Sequence, residues 1–199
     1  MPEARREKPA TFNGLLNLPF ASPRSVDYPA LSWLGGFGSF ELKSGGGGRM
    51  PVSASLNAGN RAQTARLRAL VGGLDAAALA VRLPNGWTVA VALAHVAFWD
   101  RQRLCLLRRW ASGTDCHGGY DGALFNEVLL PFLEAIPADR AAALAVEVAD
   151  EIDQFLSAVP DEVVAAALAR PDAPNLDRGS HREYHLDQVE QALAVKRRA

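Results

Sequence analysis

Hydrophobic positions along the second three-quarters of the chain recur at three- and four-residue steps, which is the spacing of one helix face. From about Asn60 to Val71, Leu67, Leu70 and Val71 share such a face. Leu74 extends it by a turn, and Arg61, Arg66 and Arg68 fall to its sides, where they can reach water. Gly72-Gly73 is a stop signal, a short helical turn is predicted over Asp75–Ala80, and Pro84-Asn85-Gly86 reads as a turn. Thr88 is a good N-cap for a second long helix, Val89 to about Trp110, whose first half is apolar nearly all round and so predicts burial on most sides. Leu124 to about Ile136 is helical but interrupted at Pro131. Pro137 suits the first position of a third long helix, which runs to about Val159 with Leu144, Val148, Ile152, Phe155 and Leu156 inward.

Residues from Pro160 to Ala169 predict a further short helix, and Arg170 to Gly179 a loop. The last helix opens near Ser180, where Ser180 and Glu183 have capping-box spacing, and Leu186, Val189 and Leu193 form its apolar stripe. Lys196-Arg197-Arg198 closes it with the charge that suits a helix C-terminus. No strand pattern and no internal repeat emerges. Four principal helices joined by loops and short turns make an all-α bundle.

Residues 1 to about 49 differ. They are rich in Pro, Gly and Ser, show no sustained period and end in Ser44-Gly45-Gly46-Gly47-Gly48. Such a composition buries too little surface to offset its ordering entropy, so this extension is expected to be disordered. Its functional alternative is a docking segment using Tyr28, Leu31, Trp33, Leu34, Phe37 and Phe40. Met50 opens a stretch that could itself be a native N-terminus. The organisation expected is therefore a low-complexity extension over 1–49 and one helical domain over 50–199.

Charge narrows the partners. Lys and Arg total 21 against 22 Asp and Glu, a formal net charge of -1, which favours neither nucleic acid nor an anionic membrane. No apolar run is long enough to span a bilayer, and the apolar stretch Gly14–Phe20 is too short and too broken for a signal peptide. The two cysteines, Cys105 and Cys116, form neither a CxxC pair nor a disulfide framework, so a cytoplasmic setting is expected. Cys105 is expected to fill core. Cys116 and His117 sit in a glycine-rich loop with nothing to lower the thiol's pKa.

The candidate chemistry lies with histidine. His181 and His185 are one helical turn apart, so both imidazoles point the same way, and Gln188 continues their row. Two such histidines can form two legs of a metal site, and His95, in the most apolar half of the second long helix, is the candidate third. The bland alternative is a set of packed core histidines, since HxxxH spacing is common by chance and spacing alone cannot bring His95 to the pair. Asp100 and Gln188 are both candidates to hold a ligand imidazole or a bound water, and Gln188 is the better one. Asp100 is turned away from the direction of His95 and is expected to pair with Arg101 or Arg103 at the surface. Trp99, one turn after His95, is expected to wall the site, and Trp87 to anchor the turn before the helix. Arg101, Arg103, Arg108 and Arg109 read as a solvated face, or as holders of an anionic substrate.

The segment Gly86-Trp87-Thr88-Val89-Ala90-Val91-Ala92-Leu93-Ala94-His95-Val96-Ala97-Phe98-Trp99-Asp100-Arg101 resembles the second-helix signature of the DinB/YfiT-like superfamily. His181-Arg182-Glu183-Tyr184-His185-Leu186-Asp187-Gln188-Val189 resembles its closing HxxxH helix. The resemblance covers about Met50 to Ala199. It implies an antiparallel four-helix bundle of DinB-like type with His95, His181 and His185 as a metal-binding triad for zinc, nickel or a similar divalent ion. Activities in the family include thiol-dependent transferases and a mycothiol-dependent maleylpyruvate isomerase. Val91 stands where relatives often carry an acidic residue and Tyr184 where they often carry Glu; neither departure removes a ligand.

The function expected from this reading is a divalent-metal-dependent enzyme. Its three-histidine site would activate a low-molecular-weight thiol or water for transfer, isomerisation or hydrolysis on a small substrate. The alternative is a non-catalytic stress-response bundle that binds a small molecule or a protein. A plain helical bundle whose histidines only pack is a third. A homodimer through helix faces is expected by family analogy.

Overall fold

The computed structural model describes residues 52–114, 116, 121–173 and 175–198. The extension over residues 1–49, its docking alternative and His117 lie outside the described residues. Seven helices occur among those described: α1 (Val52–Val71), α2 (Ala76–Leu79), α3 (Val89–Ala111), α4 (Gly122–Glu134), α5 (Ala138–Ala158), α6 (Asp161–Leu168) and α7 (Arg178–Lys196). The fold is all-α. The described residues contain no strand, only an isolated antiparallel bridge between Arg82 and Thr88 around the Pro84-Asn85-Gly86 turn. Gly86 takes φ +88°, a left-handed value that favours glycine in that turn. No helix of the described residues is long and apolar enough to cross a membrane.

The four long helices carry the architecture. Both α1 and α3 pack against α5 and against α7. Helix α3 begins where its sequence says: Thr88 has extended backbone and its hydroxyl accepts from the Val91 N–H at 3.2 Å. Other boundaries shift, each for a local reason. Helix α1 starts at Val52 rather than near Asn60, because tertiary contacts hold its first turns. Leu56 packs against a buried apolar cluster, Asn57 donates to the Leu156 carbonyl at 3.3 Å, and Ser53 bonds to the Asp161 carboxylate. Helix α4 runs unbroken through Pro131. Glu127 and Pro131 are both exposed, so water can take the carbonyl that the proline leaves without a donor. Pro137 caps α5 rather than opening its first turn. The last helix starts at Arg178, not Ser180. Its cap is Asp177, whose carboxylate accepts from the Ser180 N–H at 2.9 Å and from the Ser180 hydroxyl at 2.5 Å, so no Ser180 capping box forms.

The interior has two apolar clusters and a polar layer between them. The larger cluster includes Leu67 of α1, Val89–Ala94 and Ala97 of α3, Ala141, Ala145 and Ala149 of α5, and Leu186, Val189 and Leu193 of α7. The smaller includes Leu104 and Leu107 of α3, Ile152 and Leu156 of α5, Val164 and Ala167 of α6, and Leu176. On α1 and α3 the polar layer falls between the two clusters, at Asn60 and Thr64 on α1 and at Asp100 on α3, and it is joined by Asp153 of α5 and Arg182 of α7, all buried.

Arg182 is fully buried and centres this layer. Its Nε donates to Asp100 Oδ2 at 2.8 Å. Its Nη1 donates to Asp153 Oδ1 at 3.0 Å, to the Thr64 hydroxyl at 2.7 Å and to the Asn60 carbonyl at 3.1 Å. Thr64 in turn donates to Asp153 Oδ2 at 2.6 Å. Burial pushes the Asp153 carboxyl up, and the Arg182 charge opposes that.

Beside this layer the backbones of α1 and α7 come close. A Cβ added at Gly179 would meet the backbone carbon and oxygen of Gly59 at 3.1 Å, whereas one added at Gly59 would meet nothing within 4 Å.

Two stability outcomes follow from this interior. Arg182→Met strands the buried carboxylates of Asp100 and Asp153 and should cost about 3–5 kcal/mol in urea unfolding; a cost below about 1 kcal/mol would show the layer to be solvated rather than buried. Gly179→Ala should destabilise by about 1–3 kcal/mol. Gly59→Ala, in the same crossing but unobstructed, should be neutral or stabilise by up to about 1 kcal/mol. Equal effects would rule out the close approach.

Candidate metal centre

Helices α3 and α7 bring three histidines together. Their ring centroids lie 5.4 Å apart for His95 and His181, 4.6 Å for His95 and His185, and 4.9 Å for His181 and His185. One nitrogen from each ring falls within 4.8 Å of the others. The local cause is simple. His181 and His185 are one turn apart on the inward face of α7, and His95 is on the buried half of α3, which packs against α7. His95 and His185 are buried and His181 is half-buried.

Burial sets the protonation state. It pushes His95 down to about 3, His181 to about 2 and His185 to about 4, from an ordinary value of 6.5. The Arg178 charge depresses all three further, His185 adds to the depression at His95 and His181, and the Gln188 hydrogen bond opposes it at His185. The rings are therefore neutral near pH 7, the form that ligates a metal.

Two polar side chains hold the rings. Gln188 Oε1 lies 3.2 Å from His185 Nδ1; an Nδ1–H donating there leaves the Nε2 lone pair available. Arg178 Nη2 lies 2.8 Å from His181 Nδ1. A guanidinium only donates, so this Nδ1 accepts and the neutral ring carries its proton on Nε2. A neutral His181 ligates through Nε2 only as its Nδ1–H tautomer, which gives up the Arg178 hydrogen bond, or through Nδ1 in competition with Arg178.

The donor set fits a divalent ion. Three neutral imidazoles leave an open position, and ligand nitrogens on zinc at about 2.0–2.1 Å lie roughly 3.3 Å apart. The widest gap here exceeds that by about 1.5 Å, a distance that small side-chain rotations span.

Asp100 does not face a ligand and does not pair at the surface. It is fully buried, with Oδ1 accepting from Arg178 Nε at 2.7 Å and Oδ2 from Arg182 Nε. It acts on His181 through Arg178, while Arg101 pairs with Glu151 at 2.7 Å. Arg103, expected on a solvated face, is buried, and burial pushes it down to about 10. Cys105, expected in the core, is exposed.

Trp99 does stand beside His95, at 6.2 Å and edge-on, with its Nε1 donating to Asn126 of α4 at 3.0 Å. Trp87 does more than anchor a turn. Its ring lies 5.0 Å from His95 and stacks 6.4 Å from His185, making a second wall. Tyr184 adds a third, 5.1 Å from His185.

Arg178 and Arg182 are the residues that sequence reasoning missed. The available signal was spacing: Arg178, His181, Arg182 and His185 repeat at three and four residues and so share one face with Leu186 and Val189. A search for apolar periodicity passes over arginines.

Against family models, curated proteins and solved structures, the chain shows no match.

The pH response has a definite sign. A histidine with a folded pKa below its unfolded value binds its proton preferentially in the unfolded chain. This contribution to stability is intact above about 6.5 and is lost as pH falls toward about 4, 3 and 2 for His185, His95 and His181. Metal-free protein should therefore lose stability steeply from pH about 6.5 to about 4. His185→Gln should reduce that slope by about 1.4 kcal/mol per pH unit, read from urea midpoints. Parallel slopes for the two proteins would place His185 in contact with water.

Proposed function

We propose that this chain is a divalent-metal protein of the DinB-like class, an antiparallel four-helix bundle with the ion on His95, His181 and His185. The observation that carries the reading is the convergence of three neutral imidazoles, from two helices 86 to 90 residues apart in sequence, to ligand atoms within 4.8 Å. Chance HxxxH spacing accounts for the pair on α7 but not for His95 in front of it. The resemblance of the α3 and α7 segments to the superfamily's signatures supports the same assignment and supplies the class of reaction.

In this reading the bound ion lowers the pKa of a water or thiol and polarises a substrate carbonyl. The chain's own residues fix the centre. Gln188 orients His185, Asp100 holds Arg178 against His181, and Trp87 and Trp99 exclude water on the α3 side. The open position takes a low-molecular-weight thiol or water for transfer, isomerisation or hydrolysis on a small substrate. Zinc and nickel suit an all-imidazole set.

Elemental mass spectrometry on protein purified without an affinity tag tests the site. Near-stoichiometric divalent metal is expected in the wild type. His95→Ala, His181→Ala and His185→Ala should each lower its content by about tenfold or more while circular dichroism stays helical. Metal retained in all three folded variants, or none taken up by the wild type on adding zinc, nickel or manganese, would end the reading.

A further inference from the structure

Charge at the centre points to what completes it. The histidines bring none, and the charged side chain that acts on all three is Arg178. Its side chain is 3% exposed. Nε is taken by Asp100 Oδ1 and Nη2 by His181 Nδ1, but Nη1 makes no hydrogen bond to any described residue. Nη1 is not wholly buried, so it keeps a narrow access to solvent and stands open to a small ligand.

The carboxylates cannot supply the missing acceptor. Asp100 turns one oxygen to Arg178 and the other to Arg182, and Asp153 is bound to Arg182 and Thr64. With Arg103, which is buried near Asp100 and Arg178, the buried charges are three cations, Arg103, Arg178 and Arg182, against two anions, Asp100 and Asp153. A divalent ion on three neutral imidazoles therefore keeps its whole charge, with a cation beside it, in a setting where Coulomb interactions are weakly screened.

We infer that Arg178 is the anion anchor of this centre, and that the small molecule it takes bears a carboxylate whose oxygen accepts from Arg178 Nη1. This rests on the three-histidine reading and adds the ligand class to it. A singly charged, planar carboxylate suits the one guanidinium edge that Asp100 leaves free. A phosphate dianion would leave most of its acceptors unmet.

The full chain, loaded with cobalt(II) to equal content in wild type, Arg178→Gln and Arg178→Lys, is titrated at constant ionic strength. The probes are acetate, its neutral counterpart acetamide, and inorganic phosphate, followed by the visible absorption of cobalt. Acetate should give a saturable change and acetamide none, with phosphate weaker than acetate. The acetate dissociation constant should rise by about tenfold in Arg178→Gln, the loss of one charged hydrogen bond. Arg178→Lys keeps a buried cation opposite Asp100, so it serves where the glutamine variant does not fold, and it too should bind acetate more weakly.

Equal acetate binding in wild type and either folded variant, acetamide matching acetate, or tighter phosphate would overturn the inference. Failure of wild type to load cobalt would count against the three-histidine reading alone. The anchor is then read on metal-free protein from histidine ring signals in NMR. Acetate-dependent shifts that disappear in the Arg178 variants keep it, and their absence in wild type overturns it.

Discussion

The Arg182 guanidinium bonds to Asp100 of α3, to Asp153 of α5 and to Asn60 and Thr64 of α1, so a single buried charge on α7 touches each of the other long helices. Burying charge is expensive, and a well-packed apolar layer of the same volume is often as stable. What the layer supplies is register. An apolar cluster tolerates a helix sliding by a turn, whereas a fork aimed at four acceptors does not. On α1 and α3 the two apolar clusters lie on either side of this layer, so fixing it fixes both.

The histidine centre depends on that register directly. Arg182 lies between His181 and His185 on α7, and its partner Asp100 lies five residues beyond His95 on α3. The same carboxylate also holds Arg178, which holds His181. The support and the centre are one connected set of hydrogen bonds, and a change in the support moves the histidines. The cost of keeping three imidazoles neutral and close is likewise met by the surrounding core, which desolvates them.

Several features point outward from the centre. Leu124, Phe125, Val128 and Phe132 of α4 are exposed large apolar side chains, and Phe125 lies 6.3 Å from Trp99. Phe125 and Tyr184, the latter 5.1 Å from His185, thus put apolar surface beside the histidines.

Much of this was legible in the chain. The helical periods placed the long helices, Thr88 marked the start of α3, and the row His181, His185, Gln188 was visible as one face, because each is a local property of residues three or four apart. The start of α1 was not legible. Its first turns are poor in apolar periodicity, and contacts to Leu156 and the smaller cluster hold them. Nor were the continuity of α4 through Pro131, the burial of Asp100, Arg103, Arg178 and Arg182, or the place of Trp87 against the histidines. A charged side chain reads as exposed from sequence because an unpaired charge cannot be buried, and the carboxylate partners of Arg178 and Arg182 lie 29 to 82 residues away. The sequence by itself determined the helices and the face each histidine occupies. Only the tertiary structure decided which faces meet, since that depends on hydrogen bonds and desolvation between distant segments.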